Sequence, residues 1–396
     1  MASVHDGGAR PHNTAGGREQ RRRVLVFASA FPGLHQPDAT ARVRAPRPRW
    51  PLHPVLHTRF NAPDPSRHPE FAFVEVPDSI PPDVAARGDV TESPSFRDVL
   101  VSVAAADADK GQPAASCLII DGNLRGAQKA AATLGFPTLV LRTGSAACLC
   151  SYMVYPSLYE KGYLPPKETP TELEPVELDR IHDELGVDVF FVLAAGPLHK
   201  VSTNARSSLS ILSDRSCIEW SDTQATRSML HVSFGSLTSL DSDEFLEVAY
   251  DLVRGTIDKV CMPDGFEDVV EGQWSPQQEV LAHHAVGGFW THSGWNSTLE
   301  SISEWVPLIC RPQFADQMMN TRYVEVVWGV GFELEGKLER GKIEKAIRKL
   351  MVRKEGVGMR ERAKELKNKV DGCFKTGGSS QIAIDKFFHV PQRTRE

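Results

Sequence analysis

The stretch Trp274–Gln317, WSPQQEVLAHHAVGGFWTHSGWNSTLESISEWVPLICRPQFADQ, constrains the chain more than any other. It opens on an indole, Trp274, beside a proline and a glutamine, Gln277. Further on stands His292-Ser293-Gly294-Trp295-Asn296-Ser297, followed by Glu300 and then by Asp316-Gln317. Asn296 and Ser297 are residue types that cap helices, so the spacing predicts a helix whose first turn is Thr298-Leu299-Glu300. Such a helix end presents N–H groups without partners and a partial positive charge, which suits a phosphate. His292, able to carry a positive charge, stands just before it. Glu300 lies one turn in, where a carboxylate can accept from two neighbouring hydroxyls. An indole face for a base, a helix end for a diphosphate, and carboxylate and amide groups for sugars describe a nucleotide-sugar site.

The full run W-x-P-Q, L-x-H, G-G-F-x-T-H, G-W-N-S, L-E-S, V-P, D-Q resembles the signature box of plant family 1 UDP-dependent glycosyltransferases of secondary metabolism. The resemblance implies that Trp274 stacks on uracil with Gln277 beside it and that Glu300 holds the ribose hydroxyls. It implies that His292, Asn296 and Ser297 hold the phosphates, and that Trp295, Asp316 and Gln317 face the sugar. Gln317 as the closing residue favours glucose over galactose within that family. The wider flavour is similar to grass enzymes that glucosylate benzoxazinoids, phenolics or hormones. One position departs: the family carries glycine before Val-Pro, and here Trp305 stands there. A bulky side chain where a turn wants glycine predicts strain or a clash.

At 396 residues the chain exceeds a single core, so two domains are expected. The net charge of −6 argues against a nucleic-acid groove or an anionic membrane surface. Seven scattered cysteines without a C-x-x-C pair suit free thiols in a reducing compartment. No apolar run approaches the roughly 18 residues that span a bilayer. The opening MASVHDGGARPHNTAGGREQRRR has no apolar signal core, so the expectation is a cytoplasmic monomer. His283 and His284 lack a third ligand at metal-site spacing and read as structural or solvated.

Residues 1–20 read as disordered, and Val24–Ala28 as a buried parallel strand that opens an acceptor-side domain over 21–198. Residues 32–54 then carry six prolines and four arginines, and a proline inside a helix costs about 3 kcal/mol, so no regular helix fits. The family has F-x-G-H-x-x-P here, whose histidine is the base that deprotonates the acceptor. Phe31, Gly33 and Pro37 match, but Leu34 takes the histidine position and His35 falls one residue later. The bias of this segment reads as a shifted reading frame or a gene-model error, with the family pattern resuming near Val55. Cys117–Asp121 is the next strand; the resemblance gives Asp121 the task of orienting the catalytic histidine. Ala127–Leu134 reads as a helix, Thr138–Leu141 as a strand, and Ser145–Tyr159 as an apolar helix that lines the family's acceptor pocket. The Pro/Glu/Thr-rich 165–175 segment is shorter than in relatives.

Residues 199–216 read as a linker, and 217–390 as the UDP-sugar domain. Its strand Met229–Ser233 runs into Phe234-Gly235-Ser236, where the resemblance sets Ser236 and the turn against the diphosphate. The apolar strand that relatives carry between 251 and 274 is not found, which forfeits buried area at roughly 1.5–3 kcal/mol per aliphatic side chain. Ile343, Ile347, Leu350 and Met351 mark one amphipathic helix, 359–370 another and 382–390 a last. The expected fold is α/β of GT-B type: two Rossmann-like domains whose parallel sheets face each other across a cleft. The expected function is inverting transfer of glucose from UDP-glucose to a hydroxyl of a small metabolite. His35 and Asp121 are the catalytic pair, and neither a cofactor nor a metal is expected. The rival is a UDP-sugar-binding relative, or a pseudogene product, that lacks the base.

Overall fold

The computed structural model describes residues 23–27, 54–57, 65–67, 71–76, 95–109, 115–122, 124–161, 194–200, 216–235, 244, 247–248 and 276–389. His35, Ser236, Trp274, the proline-rich segment up to residue 53, the 165–175 segment and the stretch 251–274 lie outside these residues.

The first unit is built on a five-stranded parallel sheet. Its strands are β1 (Arg23–Phe27), β2 (Pro54–His57), β3 (Ala72–Glu75), β4 (Ala115–Asp121) and β5 (Thr138–Leu141), in the order β3-β2-β1-β4-β5. Alternate residues of β1 and β4 enter two different cores. Leu25, Phe27, Leu118 and Ile120 face one side, and Val24, Val26, Cys117 and Ile119 the other. Burial on both faces is why these strands are almost continuously apolar. Helix α1 (Ser95–Asp109) covers the first face with Phe96, Leu100 and Val103, at near-helical spacing, and Phe96 stacks on Phe27 at 4.8 Å. Helix α2 (Arg125–Thr133) adds Ala127 and Ala131 to the same core. Pro54, the last residue of the 32–54 segment, pairs with Ala72 in the sheet.

The second unit has a four-stranded parallel sheet, β6 (Met229–Ser233), β7 (Val286–Thr291), β8 (Leu308–Cys310) and β9 (Gly331–Glu333), paired in that order. All six residues of β7 are buried, with Phe289 and Trp290 fully enclosed on opposite faces. The chain reaches this sheet through α3 (Ala146–Glu160) and α4 (Ser216–Asp222); the second-domain start expected at Cys217 falls inside α4. Around it lie α5 (Gln277–Ala282), α6 (Trp295–Ser303) and α7 (Gln317–Arg322), which runs on as a π turn over Tyr323–Val327. Helix α8 (Arg340–Met351) buries Ile343, Ala346, Ile347 and Leu350, the stripe its sequence period predicts. Helices α9 (Lys354–Cys373) and α10 (Ser379–His389) complete the chain. No helix of the described residues is long and apolar enough to cross a membrane.

Among the described residues, the contacts between the units include two polar ones. Ser380 Oγ donates to the Gly196 carbonyl at 2.6 Å. Lys200 Nζ meets Glu304 Oε1 at 2.6 Å, while Lys367 Nζ reaches Glu304 Oε2 at 3.2 Å and also the Ser303 carbonyl. Beside them, Trp305 adopts φ +52°, the left-handed region that favours glycine. The expected strain is present, but the expected clash is not. The indole lies under the Arg227 guanidinium, 3.5 Å from ring centroid to Cζ, a favourable cation–π arrangement.

Trp305→Ala therefore loses the stack while keeping a Cβ in the left-handed region, whereas Trp305→Gly loses the stack but sheds the strain. The alanine variant is expected to be less stable than the glycine variant by about 1 kcal/mol, a difference of a few degrees in calorimetric Tm.

Candidate functional site

The turn that leaves β7 sets the site. Ser293 stands at φ +64°, an unusual conformation for a residue with a Cβ. Asn320 of α7 donates to its carbonyl at 3.0 Å and so pins the turn. Backbone strain of this kind collects at functional sites. The His292 ring then lies between Gly235 and Gly294. A Cβ on Gly235 would stand 2.7 Å from the ring, and one on Gly294 would stand 2.4 Å from Nε2. Both places have room for hydrogen only.

Helix α6 starts at Trp295 with Gly294 as its N-cap, and no side chain caps it. This corrects the expectation of a cap at Asn296 or Ser297: the helix begins two residues earlier, because the glycine turn already supplies the non-helical residue. Asn296 and Ser297 thus lie in the first turn, among N–H groups that have no partner within the helix. His292 was expected to be cation-capable. Burial holds its imidazole below the usual histidine range, with an N–H donated to the Ser233 carbonyl and the Asp316 charge pulling the other way. Burial therefore disfavours the charged form of this ring.

One turn into α6, the Glu300 carboxylate is buried between two carboxamides. Gln277 Nε2 donates to Glu300 Oε2 at 2.7 Å and to Ser297 Oγ at 3.1 Å, and Gln278 Nε2 donates to Glu300 Oε1 at 2.8 Å. Sequence spacing separated Gln277 from Glu300 by 23 residues; the parallel β7 and α5 packing brings them together. Gln278 was missed, since a second glutamine in a helical run looks like a solvated residue.

Next to Gln277 lies His231 of β6, also missed. Its ring stacks on Phe289 at 4.9 Å. Burial pushes its pKa down to about 4, with Gln277 offsetting part of the shift. Nε2 has no partner at hydrogen-bonding geometry. Both amide hydrogens of Gln277 are already given to Ser297 and Glu300, so only its carbonyl oxygen is left for the histidine.

The sugar-facing residues divide. Asp316 Oδ2 accepts from Asn320 Nδ2 at 3.0 Å, and the Gly144 backbone of the first unit lies close by. Cys148 and Tyr152 of α3 approach the same carboxylate; the Tyr152 phenol, bonded to Cys148, is pushed up to about 12. Asp316 thus stands where the two units meet. Gln317 turns its carbonyl oxygen back to accept from Gln313 N at 2.7 Å and Phe314 N at 3.1 Å, so half of its carboxamide is spent on its own loop. The Trp295 indole packs toward Trp328 with centroids 6.3 Å apart. Asp121 ends β4 beside β1, at the point where the sheet order reverses, the place where open α/β sheets bind ligands. His283 accepts from Ala285 N at Nδ1, so Nε2 carries the proton that goes to Asp222 at 3.1 Å. That is a structural histidine.

Comparison with known proteins gives a consistent result. The family described as UDP-glucoronosyl and UDP-glucosyl transferase matches residues 266–358. The chain is 36% identical to the DIMBOA UDP-glucosyltransferase BX8 of Zea mays, covering 90% of this chain and 96% of that protein. That alignment runs over 446 positions, more than the 396 residues present here, so the maize protein carries segments that this chain lacks. UDP-glycosyltransferase 76B1 of Arabidopsis thaliana is 34% identical over 82% of this chain and 88% of its own length. Among solved structures, Medicago truncatula UGT71G1 complexed with UDP-glucose superposes with a TM-score of 0.70 at 18% identity, covering 95% of this chain and 99% of that one. Phytolacca americana UGT2, complexed with UDP-2fluoro-glucose and pterostilbene, gives 0.69 at 22% identity, over 94% and 100%. The fold is GT-B.

The depressed His231 has a consequence for acid stability. The unfolded chain takes up this proton near pH 6.5, whereas the folded chain resists it down to about pH 4. Stability therefore falls as the pH drops through that window, by up to about 3 kcal/mol from this group. His231→Phe keeps the stack on Phe289 and is expected to flatten the fall, read as the difference between the two proteins in urea midpoints from pH 7 to pH 4.

Proposed function

We propose, for a chain that belongs to the plant family 1 UDP-glycosyltransferases and is a glycosyltransferase using a UDP-sugar, that it moves glucose to a hydroxyl of a small metabolite with inversion. The observation that carries this reading is the Glu300 carboxylate held between Gln277 and Gln278, one turn inside a helix whose end no side chain caps. A carboxylate so placed accepts from the two ribose hydroxyls, and the helix end beside it takes the diphosphate. Ser297, which accepts from Gln277, keeps its own O–H to donate. Asn296 stands next to it. His292 joins them once the bound diphosphate draws a proton onto the ring. Trp274, by resemblance, covers the uracil, and Ser236 faces the phosphates.

Glucose lies against Asp316 and Gln317, with Trp295 at the helix start. The acceptor enters from the side of α3, where the Asp316 charge is felt by Tyr152. Its oxygen attacks the anomeric carbon opposite the leaving UDP, so a single displacement inverts that centre. His35 takes the acceptor proton and Asp121 orients it, a service worth about 10²–10⁴-fold. The helix N-terminus and the phosphate donors stabilise the departing UDP, so the proposed step draws on neither a metal nor a cofactor. The acceptor side is assigned to 21–198 and the donor side to 217–390. No disulfide forms among the described cysteines, which fits a reducing, cytoplasmic setting.

The test is UDP release from UDP-glucose by the purified protein with a panel of phenolic acceptors, and the anomeric configuration of the product by NMR. Acceptor-dependent release with a β-linked product is expected. A folded protein that binds UDP yet releases none with any acceptor would be a donor-binding relative without a base, and the proposal would fall.

Two variants separate the roles. Glu300→Ala is expected to raise KM for UDP-glucose by about 10- to 100-fold, as for a lost charged hydrogen bond. Asp121→Asn is expected to lower kcat by about 100-fold with little change in that KM, as steady-state kinetics will read.

A further inference from the structure

The chain leaves β5 through Arg142, a cation that the first unit leaves unanswered. Arg142 stands at the C-terminal end of a parallel sheet, the side on which such sheets bind ligands. Its stem crosses the residue after Asp121: a Cβ on Gly122 would stand 3.1 Å from Arg142 Cγ. Its guanidinium lies over the Tyr152 ring of α3, with Cζ 5.7 Å from the centroid. Tyr152 in turn meets Tyr155 edge to face at 5.7 Å. The Arg142 side chain is exposed, and no carboxylate or carbonyl of the described residues takes a hydrogen bond from it.

This place borders the sugar side of the donor site. Just after Arg142, a Cβ on Gly144 would stand 3.7 Å from Asp316 Oδ2. Cys148 and Tyr152 feel the Asp316 charge as well. Two carboxylates, Asp121 and Asp316, therefore flank one guanidinium, yet neither holds it; Asp316 accepts from Asn320 instead. An anion entering here would meet two like charges and only Arg142 to offset them. The planar fork of an arginine with no carboxylate of its own suits a planar anion from outside. Beside it, the Tyr152 and Tyr155 rings are 38% and 48% exposed, which leaves aromatic surface for a flat ring. A neutral phenol would use the rings alone, whereas an aromatic acid uses the rings and the cation.

We propose that the acceptor is an aromatic hydroxy acid, whose carboxylate pairs with Arg142 while its ring lies along Tyr152 and Tyr155 and its hydroxyl points to the sugar. This rests on the reading that the acceptor enters beside α3. Arg142 is then a specificity-determining residue. The carboxylate is held and the hydroxyl reacts: the hydroxyl oxygen bonds to the anomeric carbon, the bond from that carbon to the UDP oxygen breaks, and the hydroxyl proton goes to the base. The product is a glycoside that keeps its free acid, not a sugar ester.

The test uses the full-length protein saturated with UDP, calorimetric Kd values, and 4-hydroxybenzoate and its methyl ester as probes. The two are alike in shape and differ in one charge. The wild type is expected to prefer the acid by about 10-fold, the worth of a bidentate charge-assisted pair. In Arg142→Gln the ratio is expected to fall to about 1, through the acid alone, with the ester within about 2-fold of the wild type. Arg142→Lys keeps the charge but not the fork and should hold part of the preference. A wild type that binds both probes equally, or neither, would overturn the proposal, as would a preference that survives in Arg142→Gln. Equal weakening of both probes would assign Arg142 to balancing Asp121 and Asp316 and would overturn it too. Binding is read here without turnover, so a protein that shows the preference yet releases no UDP would lose the glucosyl transfer and keep the acid site.

Discussion

The space around one imidazole governs the donor half of this molecule. His292 follows the fully buried β7 and must fit between two backbones, at Gly235 and Gly294, that approach so closely that neither tolerates a Cβ. Gly235 belongs to the turn after β6, and Gly294 is the cap of α6. The ring therefore fixes the distance between the end of one strand and the start of one helix. The left-handed Ser293, held by Asn320, keeps it there. Everything the α6 end does depends on that spacing: its uncapped N–H groups, Ser297 and Glu300 all inherit their direction from it. Asn320 also holds Asp316, so one carboxamide ties the phosphate end to the sugar end.

Much of this was legible in the sequence because it is local. The box from Trp274 to Gln317 lies in one run of chain, and its residues reach the site through one strand–turn–helix. The continuous apolar runs of β1 and β4 and the period of α8 announced the elements that bury both faces of a sheet or one stripe of a helix. What was not legible depended on contacts distant in sequence. His231 sits in β6, where a single histidine in an apolar strand gives no hint of the glutamine it will face. Gln278 is set apart from its neighbours only by the return of α5 over α6. Helix α1 was missed because its apolar residues are few, and alanines fill the rest of the turn.

Two expectations were changed by burial and backbone rather than by residue type. Histidine is a residue that charges readily in water, but burial opposes that tendency at His292. Asn and Ser are preferred caps, but a glycine turn ahead of them had already ended the extended backbone. Trp305 shows the opposite balance: sequence marked the left-handed site correctly, and only the structure revealed the guanidinium that makes an indole tolerable there.

Glu304 answers two ammonium groups, Lys200 from the first unit and Lys367 from α9, one on each carboxylate oxygen. Because the pairing is divided, pulling Lys200 away leaves the carboxylate still neutralised by Lys367. Lys367 and Glu304 belong to the same unit, so the carboxylate keeps a counter-charge whatever becomes of the Lys200 contact. Both pairs are partly exposed, so added salt screens the bond between the units and the bond within the second unit together.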